Sequence, residues 1–124
     1  MALSPKQIDS FCGRLPAARR SVQWEGVIVF KVGGKMFALS RLDGDPLRVS
    51  LKCEPPLAEE LRAAHPAITP GYHLNKRHWN TIVIDGSLPE QMIADMIEDS
   101  YDLVVSQLSR TRRRALGVPD DAIG

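Results

Sequence analysis

The sequence predicts an α+β domain in which helices cover one face of a single antiparallel sheet. Two β-prone runs, Val27–Val32 and 35–39, are joined by only two glycines, which is the spacing of a tight hairpin. The next strand-like run follows too closely for a parallel crossover, so we expect antiparallel strands. Apolar residues at helical spacing lie before and after these strands. With 124 residues, 44% of them hydrophobic, the chain is long enough to form one domain.

Composition restricts the classes of function. The chain has 16 Lys+Arg against 15 Asp+Glu, a formal net charge of +1, so it lacks the overall basic coat of a protein that wraps nucleic acid. Any nucleic-acid site must be a local patch. The longest apolar run within residues 1–30 is 27–30, too short for a signal peptide or a membrane span, and we expect a cytoplasmic protein with no membrane partner. Cys12 and Cys53 are predicted to be free, buried thiols.

The first element is a predicted helix over residues 5–14. Ser4 and Gln7 have the spacing of a capping box, and Pro5 occupies the first helical position. Apolar residues then recur three and four positions apart, at Ile8, Phe11, Cys12 and Leu15. Pro16 ends the helix, and Arg19 and Arg20 are predicted to lie in the loop that follows.

A third strand is predicted over 47–53, after a turn at 43–46. Apolar residues alternate along it with Arg48, Ser50 and Lys52, so one face contacts the core and the other faces solvent. Cys53 falls on the core side by this alternation.

The second half of the chain predicts helix, strand and helix. A helix over 56–64 is followed by a proline-containing loop and by a strand over Trp79–Ile84. A second capping box at 87–90 starts a helix of about five turns. The domain is predicted to span 1–117, with a flexible tail at 118–124. The predicted core residues are Ile8, Phe11, Phe30, Phe37, Leu51, Ile82, Ile93 and Ile97.

Three ordered blocks carry a resemblance to a known family. They are FKVGGKMFA at 30–38, VSLKC at 49–53 and PGYHLNKRHWNT at 70–81, and the chain resembles the MmcQ/YjbR family over about residues 4–108. The resemblance implies a small bacterial α+β domain with the CyaY-like (frataxin-like) fold, described as a double-wing DNA-binding fold. DNA binding is therefore an expectation to be tested, because a fold does not determine a function.

The candidate nucleic-acid site combines the 72–80 segment with basic strand residues. Lys and Arg can neutralise phosphates, Asn can hydrogen-bond a base edge, and Tyr or Trp can stack on an unpaired base. The same residues also fit a structural role, with Trp79 packed inside a constrained loop and lysines protecting a sheet edge. The candidate contacts are Lys31, Lys35, Arg48, Lys52, Tyr72, His73, Asn75, Lys76, Arg77, His78, Trp79 and Asn80.

Two further charged groups have two interpretations each. Four carboxylates share one face of the last helix, as a solvated surface or as a weak metal site: Asp95, Glu98, Asp99 and Asp102. Four arginines follow, which could contact phosphates or complement the helix dipole: Arg110, Arg112, Arg113 and Arg114.

No catalytic pattern is present in the sequence. It contains no dinucleotide-binding glycine motif, no phosphate-binding P-loop, no nucleophile-elbow serine and no HExxH zinc motif. We therefore expect a noncatalytic monomer with no cofactor and no resident metal. Three hypotheses stay open: binding of DNA or RNA, a module that binds a protein or small ligand through the exposed sheet and the 70–81 loop, and weak metal binding on the acidic helix.

Overall fold

The computed structural model describes residues 3–23, 26–41, 46–71 and 74–118. These residues form six strands and four helices in chain order: α1 (Pro5–Gly13), β1 (Arg19–Val22), β2 (Val27–Val32), β3 (Lys35–Arg41), β4 (Leu47–Lys52), α2 (Pro55–Ala64), β5 (Ile68–Pro70), β6 (Trp79–Ile84), α3 (Glu90–Ser106) and α4 (Arg110–Leu116). The strands form one sheet in the order β1-β2-β3-β4-β6-β5, and every neighbouring pair is antiparallel. The predicted α+β class with a single antiparallel sheet is confirmed.

The β2–β3 hairpin has the predicted tight turn. Gly33 and Gly34 have φ values of 60° and 81°, the left-handed conformations that a two-residue primed turn requires. A Cβ on Gly33 would also lie 2.8 Å from a methyl group of Leu108, so this position needs glycine for space as well. The hairpin is thereby fixed against the end of α3.

Helices pack on one face of the sheet around one core. Helix α3 lies against β2, β3 and β4, α2 lies against β5 and β6, and α1 lies against α3. Seven of the eight predicted core residues belong to one buried cluster, and Phe11 is partly buried against it. The predicted core is confirmed.

Helix α1 begins as predicted, but the loop after it is a strand. The Ser4 hydroxyl accepts the Gln7 amide N–H, and the Gln7 side chain accepts the Ser4 N–H, which completes the capping box. Arg19 and Arg20, predicted to lie in a loop, belong to β1 and pair with Lys31 and Phe30. That prediction was wrong because β1 is a short polar edge strand whose pairing depends on β2.

Strands β4 and β6 depart from simple alternation of buried and exposed residues. Ser50, predicted to face solvent, is buried and shares a hydrogen bond of 2.9 Å with Thr81 across the two strands. Strand β4 ends at Lys52, so Cys53 lies outside it, is half-buried, and donates its amide N–H to the His78 carbonyl. Part of the predicted loop before β6 forms the three-residue edge strand β5, where Pro70 is tolerated.

The C-terminal helices also differ from the prediction. Helix α3 begins at Glu90 with Pro89 as its N-cap and no side-chain cap, so Ser87 lies before the helix, where its amide N–H donates to the Asp85 carboxylate. The second capping box is therefore wrong, although the five-turn helix is present. Helix α3 ends at Ser106, and a separate helix α4 starts after Ser109, whose hydroxyl accepts the Arg112 N–H.

The remaining predictions about the fold concern the C-terminal tail, the 43–46 turn and the cysteines. Val118, placed at the start of a flexible tail by the sequence, belongs to the buried core, while 119–124 lie outside the described residues. Most of the predicted turn at 43–46 also lies outside them. Cys12 and Cys53 are free, as predicted. In the described part of the chain, no helix has the length and apolar character needed to cross a membrane.

Candidate nucleic-acid interface

Charge is distributed unequally between the sheet and the helices. The six described strands contain no Asp or Glu, but they carry seven cations: Arg19, Arg20, Lys31, Lys35, Arg41, Arg48 and Lys52. Helices α1 to α3 carry eight carboxylates, five of them on α3. A chain with a net charge of only +1 is therefore electrically polarised, with positive charge on the sheet and on α4 and negative charge on α1 to α3.

The strand register brings most of the predicted basic residues to one end of the sheet. Arg19 pairs with Lys31, Lys35 pairs with Val32 next to it, and Lys52 pairs with Trp79 where β6 begins. The loop before β6, which carries Lys76 and Arg77, starts from the same end. We call these six residues the basic end: Arg19, Lys31, Lys35, Lys52, Lys76 and Arg77.

Arg19 and Lys31 lie directly opposite each other on β1 and β2. Like charges in directly opposed positions destabilise a sheet. Neither residue forms an ion pair with another described residue, whereas their neighbour Arg20 binds Asp9 at 2.8 Å. A bound anion between Arg19 and Lys31 would relieve this repulsion.

Lys52 is held in place at the basic end. Its ammonium donates to the Gln107 side-chain oxygen at 3.1 Å, at the C-terminus of α3. Burial lowers the pKa of Lys52, and the positive charge of Lys35 lowers it further. The two ammonium groups are therefore close enough to repel each other.

The described part of the loop, 74–78, is a turn built around Asn75. The Asn75 side-chain oxygen accepts the Arg77 amide N–H at 3.0 Å, and its carbonyl accepts the amides of His78 and Trp79. Arg62 of α2 donates to the Lys76 carbonyl at 2.9 Å. These bonds use backbone groups and Asn75, so the side chains of Lys76 and Arg77 stay exposed. Asn75 therefore serves the loop structure, and His78 is half-buried.

Trp79 and Asn80, predicted to contact bases, are buried. Trp79 is 8% exposed and Asn80 is 2% exposed. Gly71 packs directly on Trp79, because a Cβ at Gly71 would lie 2.7 Å from the Trp79 Cβ. In this fold neither side chain can stack on a base or hydrogen-bond one, so both predicted contacts are corrected to structural roles.

The remaining predicted contacts do not join the basic end. Arg48 is exposed, but it precedes Lys52 by four residues on β4, which corresponds to about 13 Å along a strand. Tyr72 and His73 lie outside the described residues.

Helix α4 extends the basic end, and the sequence did not predict this position. Leu108 and Leu116 pack on Gly33 at the hairpin turn, and the Arg112 guanidinium donates to the Gly33 carbonyl at 3.2 Å. Arg110 and Arg114 are exposed on the same short helix. The arginine run was visible in the sequence, but only its docking on the hairpin shows which site it adjoins.

The acidic face of α3 forms no metal centre. No group of three or more His, Cys, Asp or Glu within the described residues is arranged to hold a metal ion. Burial raises the pKa of Asp99, and the charges of Asp95 and Glu98 raise it further. Burial likewise raises the pKa of Asp102, with further contributions from Asp99 and Glu98.

We expect Asp99→Asn to raise the free energy of unfolding at pH 7 by about 0.5 kcal/mol, because it removes the cost of a partly buried charge and the like-charge repulsion on α3. A carboxyl whose folded pKa is raised destabilises the fold while ionised, and the penalty disappears as the pH falls below its ordinary value of 3.8. Urea unfolding of both proteins between pH 3 and pH 7 measures this. A gain that is constant over this range would contradict the electrostatic cause.

The fold and this surface define a class: a small α+β protein with a polarised charge distribution and a basic sheet end. The YjbR family model matches residues 13–103, and the chain belongs to the YjbR family. The chain is 38% identical to the protein YjbR of Escherichia coli (strain K12) over 112 residues, 89% of this chain and 94% of that protein. It is 36% identical to YyaQ of Bacillus subtilis (strain 168) over 81 residues, 65% of this chain and 66% of that protein.

A solved structure shows the same architecture. The crystal structure of Deinococcus radiodurans protein DR2400, with the family-model domain DUF419, matches with a TM-score of 0.89 and 40% identity. The match covers 94% of this chain and 90% of that one.

Proposed function

We propose that this protein binds nucleic acid without catalysing a reaction, through contacts of the basic end with the phosphate backbone. The observation that carries the proposal is the separation of charge: the six described strands carry no carboxylate, and four of their seven cations lie at the basic end, namely Arg19, Lys31, Lys35 and Lys52. A concentrated positive surface attracts a polyanion even when the net charge is near zero, because attraction depends on the local field. The carboxylates of α1 to α3 lie on the helices, outside the strands that carry these cations, and would repel phosphates.

The proposed contacts are to the backbone and carry no base specificity. Phosphate contacts by Lys and Arg position a protein on nucleic acid, whereas sequence is recognised at base edges. Of the residues predicted to recognise bases, Trp79 and Asn80 are buried and Asn75 holds the loop together, so these three do not support base recognition. Tyr72 lies outside the described residues. The proposed interaction is therefore strongly dependent on salt and nearly independent of sequence.

The test is the salt dependence of binding by Lys76→Ala, Arg77→Ala and the double variant. Each lost phosphate contact should reduce the slope of log K against log salt by about 0.7 to 0.9 in magnitude. Fluorescence anisotropy with labelled duplex and single-stranded DNA and RNA, at several salt concentrations, measures the slope.

Arg14→Ala is the matched control. It removes the same charge as Arg77→Ala, but Arg14 follows α1 and borders a pocket that Glu90 and Glu98 of α3 also line. Its slope should equal that of the wild type. Absence of binding at low salt, or an unchanged slope in the double variant, would refute the proposal and favour an interaction module for a protein or small ligand.

Three further expectations about this protein remain predictions. The frataxin-like fold name, the monomeric state and the cytoplasmic location rest on the sequence and on the resemblance. Weak metal binding on α3 has no support from the arrangement of the described carboxylates.

A further inference from the structure

Strand β1 is an edge of the sheet that another extended chain segment can join. Within the described residues it pairs with β2 on one side and with no strand on the other. An edge strand presents unpaired N–H and C=O groups, and peptides bind such edges by adding a strand. The other edge is less suited, because β5 has three residues and its Pro70 has no N–H to donate. Strand β1, with the sequence RRSV, contains no proline.

The register of β1 with β2 shows which of its backbone groups face outwards. The Gln23 amide, just after β1, donates to the carbonyl of the first β2 residue at 2.8 Å. Bonded and non-bonded pairs alternate along an antiparallel ladder, so Ser21 and Arg19 also bond to β2. The N–H and C=O groups of Arg20 and Val22 therefore point away from β2. No other described residue binds these four groups.

An apolar side chain is exposed at this edge. Val22 is 59% exposed, the larger fraction of the two large hydrophobic side chains that are exposed in the described part of the chain. It pairs with Ile28, which belongs to the core, so Val22 lies on the face of the sheet that the helices cover. An apolar side chain opposite Val22 on an added strand would remove its surface from water.

The charge of this edge selects an acidic partner. Arg19 and Arg20 belong to β1, and only Arg20 has an ion-pair partner among the described residues, Asp9. Arg19 instead lies opposite Lys31, so a carboxylate beside Arg19 would lower the local positive charge. A second copy of β1 is a poor partner, because pairing would bring the arginines of both copies together.

We propose that β1 binds an extended acidic segment of another protein, which adds to the sheet as an antiparallel strand. The segment bonds to the outward backbone groups of Arg20 and Val22. It places an apolar residue opposite Val22 and, three residues later, a carboxylate opposite Arg19. The antiparallel direction matches every strand pair of this sheet. This inference goes beyond the proposed function, and its test contains no nucleic acid, so either can fail alone.

The probe is the capped peptide acetyl-TEVTVETE-amide, titrated into the ¹⁵N-labelled full chain and followed by NMR. Its third residue, a valine, is designed to lie opposite Val22, and its sixth, a glutamate, opposite Arg19. The amide resonances of Arg20 and Val22 should shift, and their hydrogen exchange should slow. The amides of Ser21 and Gln23 should change less, because they already bond to β2.

Three modified peptides test the geometry. N-methylation of the third residue removes an N–H that faces β1 and should weaken binding by at least about tenfold. N-methylation of the fourth residue is the matched control, because its N–H points away from β1, and binding should persist. Lysine in place of the glutamate at the sixth position should weaken binding about fivefold, since it faces Arg19.

Variants of the protein test the same contacts from the other side. Val22→Pro removes an outward N–H that β2 does not use and should abolish binding, since an edge strand tolerates proline at such a position. Val22→Thr keeps this N–H and should weaken binding by no more than about threefold. Arg19→Glu should reverse the preference between the glutamate and lysine peptides.

The outcome does not depend on one variant. If Val22→Pro does not fold, the two N-methylated peptides and Arg19→Glu decide it. Equal binding of the two N-methylated peptides, equal binding of the glutamate and lysine peptides, or shifts confined to other parts of the protein would overturn the proposal. Shifts of Arg20 and Val22 that grow with protein concentration in the absence of peptide would also overturn it, in favour of a second copy.

Discussion

Replacing Trp79 by alanine is expected to lower the free energy of unfolding by about 3 to 5 kcal/mol, the usual cost of removing a buried large aromatic side chain. Trp79 is 8% exposed at the start of β6. Its carbonyl accepts the Gly71 amide N–H at 2.8 Å, and Gly71 packs on its Cβ. The backbone and Cβ of residue 79 therefore join the two ends of the loop that carries Lys76 and Arg77, and alanine keeps these contacts, so the expected loss comes from the buried indole.

Urea unfolding followed by circular dichroism measures this loss. Arg77→Ala is the companion variant, because an exposed loop side chain should change the free energy of unfolding by less than about 0.5 kcal/mol. Nucleic-acid binding should rank the two variants the other way. Arg77→Ala should reduce the slope of log K against log salt, whereas the folded fraction of Trp79→Ala should retain the wild-type slope. A Trp79→Ala protein of unchanged stability that loses single-stranded binding selectively would restore a stacking role for the ring.

Local signals in the sequence predicted the elements whose geometry is decided locally. The two glycines between β2 and β3 require left-handed backbone, and Ser4 with Gln7 caps α1, so neither feature depends on distant residues. The core was predictable for a related reason. Large apolar residues at regular spacing must share one interior, wherever the elements are placed.

The elements that depend on tertiary pairing could not be predicted. Strand β1 has the sequence RRSV, with no apolar alternation, and exists through its ladder with β2. Strand β5 is a three-residue edge strand that ends in Pro70. In both, hydrogen bonds to a neighbouring strand replace any intrinsic preference of the segment.

The candidate site was predicted in part. The near-neutral composition indicated correctly that any basic surface must be local. The alternation of apolar and polar residues, however, could not show which side chains of β6 are exposed. Trp79, Asn80 and Thr81 are consecutive and all buried, so the side chains on both faces of β6 are shielded from solvent at this point. The sequence shows that the predicted strands contain no carboxylate. It does not show that Arg19, Lys31, Lys35 and Lys52 lie at one end of the sheet, because this depends on the strand register.

Replacing Ser100 by alanine is expected to lower the free energy of unfolding by about 2 to 4 kcal/mol, because two buried backbone groups lose their partner. Ser100 is fully buried on α3. Its hydroxyl donates to the Phe37 carbonyl at 2.6 Å and accepts the Lys52 amide N–H at 2.8 Å. The paired register of β3 and β4 reaches Leu51, so Ser100 links the two strands just beyond their last paired residues.

Ser106→Ala is the matched control for Ser100→Ala on the same helix. Ser106 is exposed and donates its hydroxyl to the Leu103 carbonyl within α3, so its loss should change the free energy of unfolding by less than about 0.5 kcal/mol. Amide hydrogen exchange adds a local measurement, because the Lys52 amide should exchange faster than in the wild type when its acceptor is removed. If Ser100→Ala matched Ser106→Ala in stability and the Lys52 amide stayed protected, Ser100 would not be the link between α3 and the two strands.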